Sequence, residues 1–248
     1  IFWEFRLTLG AAGYRMASIM KIEPSRSSIP ITAVKSLAGR VGMIGVLIVL
    51  VFNGAHGAQN WKIAFADFKE GEKAPGFSAS SGRWVVVREK TPSGKRNGIL
   101  VQTEAAGGPD HRALALFSMG NDLKDFAMQV RLRVEKKGKD QTAGIILHYK
   151  DDNNFMCLMV SAKDHLLGLY QVERGVSQLL SKSGVEAGSG VWQRLQISVK
   201  DDRLACSLNG QKIFQAEDRR LLSGGKIGLI TAGDTTSAFD NFSLTNTK

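Results

Sequence analysis

From Trp61 onward, short apolar runs alternate with polar turns, and no segment of ten or more residues carries the 3.6-residue stripe of an amphipathic helix. Phe126–Val134 is the clearest strand. Phe126, Met128, Val130, Leu132 and Val134 interleave with Ala127, Gln129, Arg131 and Arg133, which predicts one buried face and one basic, wet face. Trp192–Lys200 repeats the pattern, with Leu195, Ile197 and Val199 against Arg194, Gln196 and Ser198. Ala143–Tyr149 and Phe155–Ser161 are nearly continuous apolar runs. They are too short for helices, so they are expected at the centre of a sheet covered on both faces. Strict alternation puts His148 on the face of Gly144 and Ile146, opposite Ala143, Ile145, Leu147 and Tyr149.

Further strands are predicted at Trp61–Phe68, Trp84–Arg88, Ile99–Thr103, Ala113–Phe117, Val176–Ser181, Arg203–Leu208, Gln211–Gln215, Ile227–Thr231 and Phe239–Thr245. Asn209–Gly210 joins two of them in a tight hairpin, because both turn residues must take positive φ. About a dozen strands with turns at short intervals predict an all-β sandwich of two antiparallel sheets.

The segment before Ala58 follows different rules. Val41–Phe52 is a 12-residue apolar run, shorter than the roughly 20 residues that cross a bilayer. Lys21, Arg26, Lys35 and Arg40 precede it, and the small residues of Asn53–Ala58 follow. That pattern predicts an upstream and export-signal segment over 1–57 (apolar region 41–52), cleaved near Gly57/Ala58, with residues 1–19 expected to be upstream of the signal. Residues 58–248 are then one exported domain with no stable membrane span, periplasmic or extracellular, and a monomer is expected.

The net charge of +10 falls to +6 once the six basic and two acidic residues before Ala58 are set aside. No zinc-ligand spacing, phosphate loop or helix-turn-helix accompanies it, so nucleic acid is not an expected partner. Cys157 and Cys206 both lie in predicted strands and read as two buried free thiols. Asp151–Asn154 reads as a turn whose side chains bond their own backbone.

Several phrases in order carry a resemblance: Trp84-Val-Val-Val, Thr142-Ala-Gly-Ile-Ile, Asp151-Asp-Asn-Asn-Phe, Trp192-Gln-Arg-Leu-Gln-Ile, Leu208-Asn-Gly, Gly225-Lys-Ile-Gly-Leu and Phe239-Asp-Asn-Phe. Together they resemble the concanavalin A-like lectin/glucanase jelly rolls, above all the bacterial secreted group related to 3-keto-disaccharide hydrolases and labelled family 16-like glycoside hydrolases. Laminin G-like domains share the architecture. The chain departs from that group in carrying His148 where an Arg is usual. It also lacks the Glu-x-Asp-x-x-Glu strand of true family 16 enzymes.

The resemblance implies a concave sheet face where relatives bind or process carbohydrate, and with that catalytic strand missing the expected function is binding of a carbohydrate or glycan without catalysis. On that face the candidate ligand-binding residues are Arg131, Arg133, His148, Tyr170, Trp192 and Arg194. Arginine clamps oxygen groups, and aromatic rings take the apolar face of a sugar. The alternatives are a hydrolase or lyase of the 3-keto-disaccharide type and a laminin G-like protein-interaction module. No cofactor is expected, apart from a structural Ca2+ shared by Asp67 and Asp240 where the two chain ends of a jelly roll meet.

Overall fold

A computed structural model describes residues 59–104, 112–119, 122–135 and 141–247, together with the backbone of two strands near the amino end. The chain divides into two compact units, Ile1–Gly42 and Met43–Lys248. In the first, β1 (Arg6–Gly10) and β2 (Gly13–Ala17) pair as an antiparallel hairpin. The apolar run Val41–Phe52 and the small residues after it lie outside the described residues.

The second unit is a jelly-roll sandwich of two antiparallel sheets, as expected. Its strands are β3 (Asn60–Ile63), β4 (Phe77–Ala79), β5 (Arg83–Lys90), β6 (Arg96–Glu104), β7 (Arg112–Phe117), β8 (Phe126–Val134) and β9 (Thr142–Asp151), followed by β10 (Asn154–Ser161), β11 (Leu166–Glu173), β12 (Val176–Gly184), β13 (Gln193–Lys200), β14 (Arg203–Leu208), β15 (Gln211–Glu217), β16 (Lys226–Ala232) and β17 (Ser237–Asn246). One sheet has seven strands in the order β12-β11-β10-β9-β16-β7-β4. The other has eight, in the order β15-β14-β13-β8-β17-β6-β5 with β3 added beside β17. The first and last strands of the sandwich therefore lie side by side, Phe242 opposite Ile63 and Leu244 opposite Trp61.

Apolar side chains alternate inward from both sheets because each strand must bury one face. Phe126, Val130 and Leu132 of β8 meet Ile145, Leu147 and Leu158 of the facing sheet in one core. Phe77, Phe117 and Phe242 form its aromatic centre, with ring centroids 5.0–5.6 Å apart. A smaller apolar cluster of Leu114, Ile146, Phe155, Cys157, Val172 and Ile230 covers the other face of the seven-stranded sheet, so its central strands are buried on both sides as their composition requires. Both cysteines are buried free thiols, one in each cluster.

Three elements differ from the sequence pattern. The strand expected over Trp61–Phe68 stops at Ile63, and Phe65–Asp67 forms a 3-10 turn that still buries Phe65. The polar loop 69–81 contains the short edge strand β4. The alternation of β9 breaks at His148, which adopts φ 50°. There Ile146 pairs with Gly228 and Tyr149 with Lys226, so two residues of β9 oppose Ile227 alone in a β-bulge. Tyr149 thus joins the outer cluster of Ile146, and His148 turns to the inner side, its ring centroid 6.1 Å from that of Phe126. This reverses the face assigned to both residues by strict alternation.

Candidate functional site

The pairing of β8 with β13 brings the two basic faces together. Arg131 stands opposite Arg194, Gln129 opposite Gln196, and Ala127 opposite Ser198. On the far side of β8, β17 adds Asp240 beside Arg131, Ser243 beside Gln129 and Thr245 beside Ala127. On the far side of β13, β14 adds Ser207 beside Gln196 and Ala205 beside Ser198. The outer face of the eight-stranded sheet is therefore ruled in rows: a charged row, an amide-and-hydroxyl row, and a row of small residues. Ala127, Ser198, Ala205, Ser207, Ser243 and Thr245 are too short to fill the space above the sheet. Between the glutamines they leave a trough of about 310 Å³, and a second hollow of about 300 Å³ continues it from Ser198 and Ala205 toward Gln215.

Trp192, half-buried, packs on the same sheet face against the arginines. The Arg131 and Arg133 guanidinium carbons lie 4.9 and 4.8 Å from its ring centroid, a cation–π arrangement that fixes the indole on the sheet face. Arg133 is otherwise engaged, donating to Glu89 Oε1 at 2.7 Å and through Nε to Glu135 Oε1 at 2.9 Å. Among the described residues, Arg131 has only a distant carboxylate, Asp240 Oδ2 at 3.9 Å. Arg194 is exposed and has no ion pair among the described residues. Two guanidinium groups with uncommitted donors thus overlook a floor of hydroxyls and amides.

Asp240 is 4% exposed, and burial raises its pKa despite the Asn241 backbone N–H, Arg131 and Asn97 that favour its charge. It accepts hydrogen bonds from that N–H at 2.8 Å and from Asn97 Nδ2 at 3.3 Å. Asp67 lies exposed in the 3-10 turn. Among the described residues, no group of three or more His, Cys, Asp or Glu side chains could hold a metal ion.

The six candidate ligand residues do not share one face. Arg131, Arg133, Trp192 and Arg194 come together on the eight-stranded sheet. Tyr170 projects from β11 into the outer cluster of the seven-stranded sheet, packed over Gly168, where an added Cβ would lie 2.5 Å from the ring. His148 lies at one end of the sandwich, lining a separate cleft of about 290 Å³ with Lys150, Asn154, Met156, Gln171, Glu173, Arg220 and Ser223. The turn between β9 and β10 is self-satisfied. Asp151 Oδ1 accepts from the Asn153 N–H and Asn154 Nδ2, both at 2.8 Å, and Asp152 Oδ1 accepts from Ser80 and Tyr149 hydroxyls at 2.6 and 2.8 Å.

The trough floor was readable in part. Ser207, Ser243 and Thr245 alternate with Cys206, Leu208, Phe242 and Leu244, a period-two signal that marks them as outward-facing. Nothing local marks Arg220 and Ser223 as cleft residues, because a 3-10 segment (Arg219–Ser223) distant in sequence carries them there.

Solved structures share this fold. The carbohydrate binding module CBM66 from Bacillus subtilis is 20% identical over 67% of this chain and 93% of its own, with a TM-score of 0.53. Domain 4 of AbnA, a GH43 extracellular arabinanase from Geobacillus stearothermophilus in complex with arabinotriose, is 11% identical over 75% and 90%, with a TM-score of 0.52. The VIP36 exoplasmic/lumenal domain in its Ca2+/Man3GlcNAc-bound form is 12% identical over 72% and 87%, with a TM-score of 0.51. At such identities the likeness is one of fold alone. No curated protein matches the sequence. The sequence profile of the 3-keto-alpha-glucoside-1,2-lyase-like domain matches residues 48–245, and the chain belongs to that family.

Proposed function

We propose that residues 58–248 form an exported, monomeric domain that binds a glycan chain along the outer face of the eight-stranded sheet, without turning it over. The observation that carries this reading is the register of β8 and β13. It lines up Arg131 with Arg194 and Gln129 with Gln196 beside a trough of small polar residues, with Trp192 packed against Arg131 and Arg133. Amide and hydroxyl groups donate and accept as sugar hydroxyls do, and the two arginines add charge-assisted donors. The sugar-bound or sugar-binding relatives of the same fold support the ligand class. Export rests on the basic, apolar and small-residue pattern ahead of Ala58.

Among the described residues, no carboxylate lines the trough and one, Glu217, lines the hollow that continues it, whereas glycoside hydrolysis by the common route needs two flanking the bond. A structural Ca2+ at Asp67 and Asp240 is not part of this reading, since Asp240 is engaged by Asn97, Asn241 and Arg131. Elimination or hydrolysis of a keto-glycoside is the second reading, favoured by family membership.

A glycan array probed with the full chain identifies the ligand class, and calorimetry on the best glycan tests the site. Arg131→Ala and Trp192→Ala are each expected to weaken binding at least several-fold, Arg131→Ala by about 1–3 kcal/mol, while unfolding stays cooperative. Affinity unchanged in both variants would place the ligand elsewhere.

A further inference from the structure

The outer face of the eight-stranded sheet carries a charge pattern that the fold itself does not need. Along β13 that face presents Arg194, Gln196, Ser198 and Lys200, so the strand is cationic toward both ends and neutral between them. The register doubles each charge. Arg194 stands opposite Arg131 of β8, and Lys200 stands opposite Arg203 of β14. Like charges directly opposite on neighbouring strands destabilise a sheet, and β13 takes part in two such pairs. Relief is partial in each. Arg131 has the buried Asp240 at 3.9 Å, and Arg203 has the exposed Glu217 at 3.1 Å. Among the described residues, Arg194 and Lys200 make no ion pair. Nor does the exposed Lys212, which stands opposite Ser207 and extends the row of Gln129 and Gln196. Asp201 and Asp202 lie in the turn beyond Lys200 and form no ion pair with it, while Glu89 and Glu135 are taken up by Arg133.

This pattern selects both the charge and the length of a ligand. A single exposed cation without a partner is ordinary, because an exposed ion pair contributes little. Two cationic pairs held in register on one strand are a different matter. A neutral chain laid over them leaves both repulsions as they were, whereas anionic oxygen groups relieve both. Guanidinium groups also offer a fork of donors that matches a carboxylate. The stretch of β13 between the two pairs spans about 20 Å, at roughly 3.4 Å per residue. That is longer than one sugar ring, so a single acidic sugar meets one pair and only a chain meets both.

Resting on the reading of the trough as a glycan site, we infer that its ligand is a linear acidic glycan lying along β13, with carboxylate or sulfate groups at the Arg131–Arg194 and Lys200–Arg203 pairs. The amides, hydroxyls and small side chains between the pairs then lie under the uncharged parts of the chain.

The test is calorimetry on the full chain with polygalacturonate, dextran sulfate, neutral dextran and monomeric galacturonic acid. Saturable binding of at least one acidic polymer is expected, weakening as salt is added, and the two polymers tell carboxylate from sulfate. Dextran and the monomer should bind at least tenfold more weakly. Arg194→Gln and Lys200→Gln should each weaken binding of the acidic polymer several-fold. Lys182→Gln, which removes the same charge from the exposed edge strand β12, should change it less than twofold. Equal losses in all three variants would reduce the effect to net charge and overturn the proposal, as would a DNA duplex bound as tightly as the better polymer. Should only neutral glycans bind, with Arg131→Ala and Trp192→Ala still weakening them, the trough stands as a glycan site and its preference for acidic chains falls. Should no glycan of either kind bind, both readings fall together.

Discussion

Arg131 and Arg194 face each other across the β8–β13 pair, and like charges directly opposite on neighbouring strands destabilise a sheet. Arg131 is eased by the Trp192 ring and, at 3.9 Å, by Asp240. Arg194 has no such relief among the described residues. A residue that costs stability and satisfies nothing in the free protein is what a ligand contact looks like before the ligand arrives. Arg194→Gln is therefore expected to raise unfolding free energy by about 0.2–1 kcal/mol, the scale of one cross-strand pair. The same change should weaken binding of the array's preferred glycan. Urea midpoints of the two proteins check the first part. A lower midpoint in the variant would mean that Arg194 supports the sheet instead.

At the level of elements, what could be read in advance was whatever a single strand encodes by itself. The period-two alternation of β8 and β13 located Arg131, Arg133 and Arg194 on a wet face before any pairing was known. The Asn209–Gly210 hairpin likewise follows from its own two residues, found at φ 55° and 87°. The bulge in β9 is another matter, because its cause lies in a different strand. Gly225, just before β16, adopts φ 149° and lets the backbone pass against His148. Without that partner the sequence of β9 alone keeps its alternation, and the faces of His148 and Tyr149 come out reversed. Gly225→Ala tests the dependence. Its Cβ would be 2.7 and 2.8 Å from the His148 carbonyl carbon and Cα, both backbone atoms that move only if the bulge does. We expect a loss of about 2 kcal/mol or more, together with displacement of the His148 ring resonances. A variant as stable as the parent, with those resonances unmoved, would show that the bulge forms without Gly225.

For the molecule as a whole, the fold was legible because alternation, turns and short spacing agreed along the entire sandwich. The end cleft was not, because β9, β10, β11 and the 3-10 segment of Arg219–Ser223 converge there from four parts of the chain. Its consequence is global, since His148 is buried uncharged and unfolding exposes it to water. With a pKa of about 4 in the folded protein and about 6.5 in the unfolded chain, the unfolded state binds more protons between those values. Stability must then fall as pH drops from about 6.5 to 4 and level off below. The full effect is about 3 kcal/mol, since each tenfold difference in proton affinity between the two states is worth roughly 1.4 kcal/mol. Other groups titrate in this range or just below it. The raised pKa of Asp240 makes folding more favourable toward low pH, and the lowered pKa of Asp218, held by the Arg220 side chain, acts below about pH 4. His148 is isolated by difference, comparing urea unfolding of the parent and His148→Leu at pH 7 and at pH 4.5. The parent should lose more stability than the variant over that interval, by about 2–3 kcal/mol. Equal losses would mean that the imidazole reaches protons in the folded protein as readily as in the unfolded one, and that the cleft opens to water before the molecule unfolds.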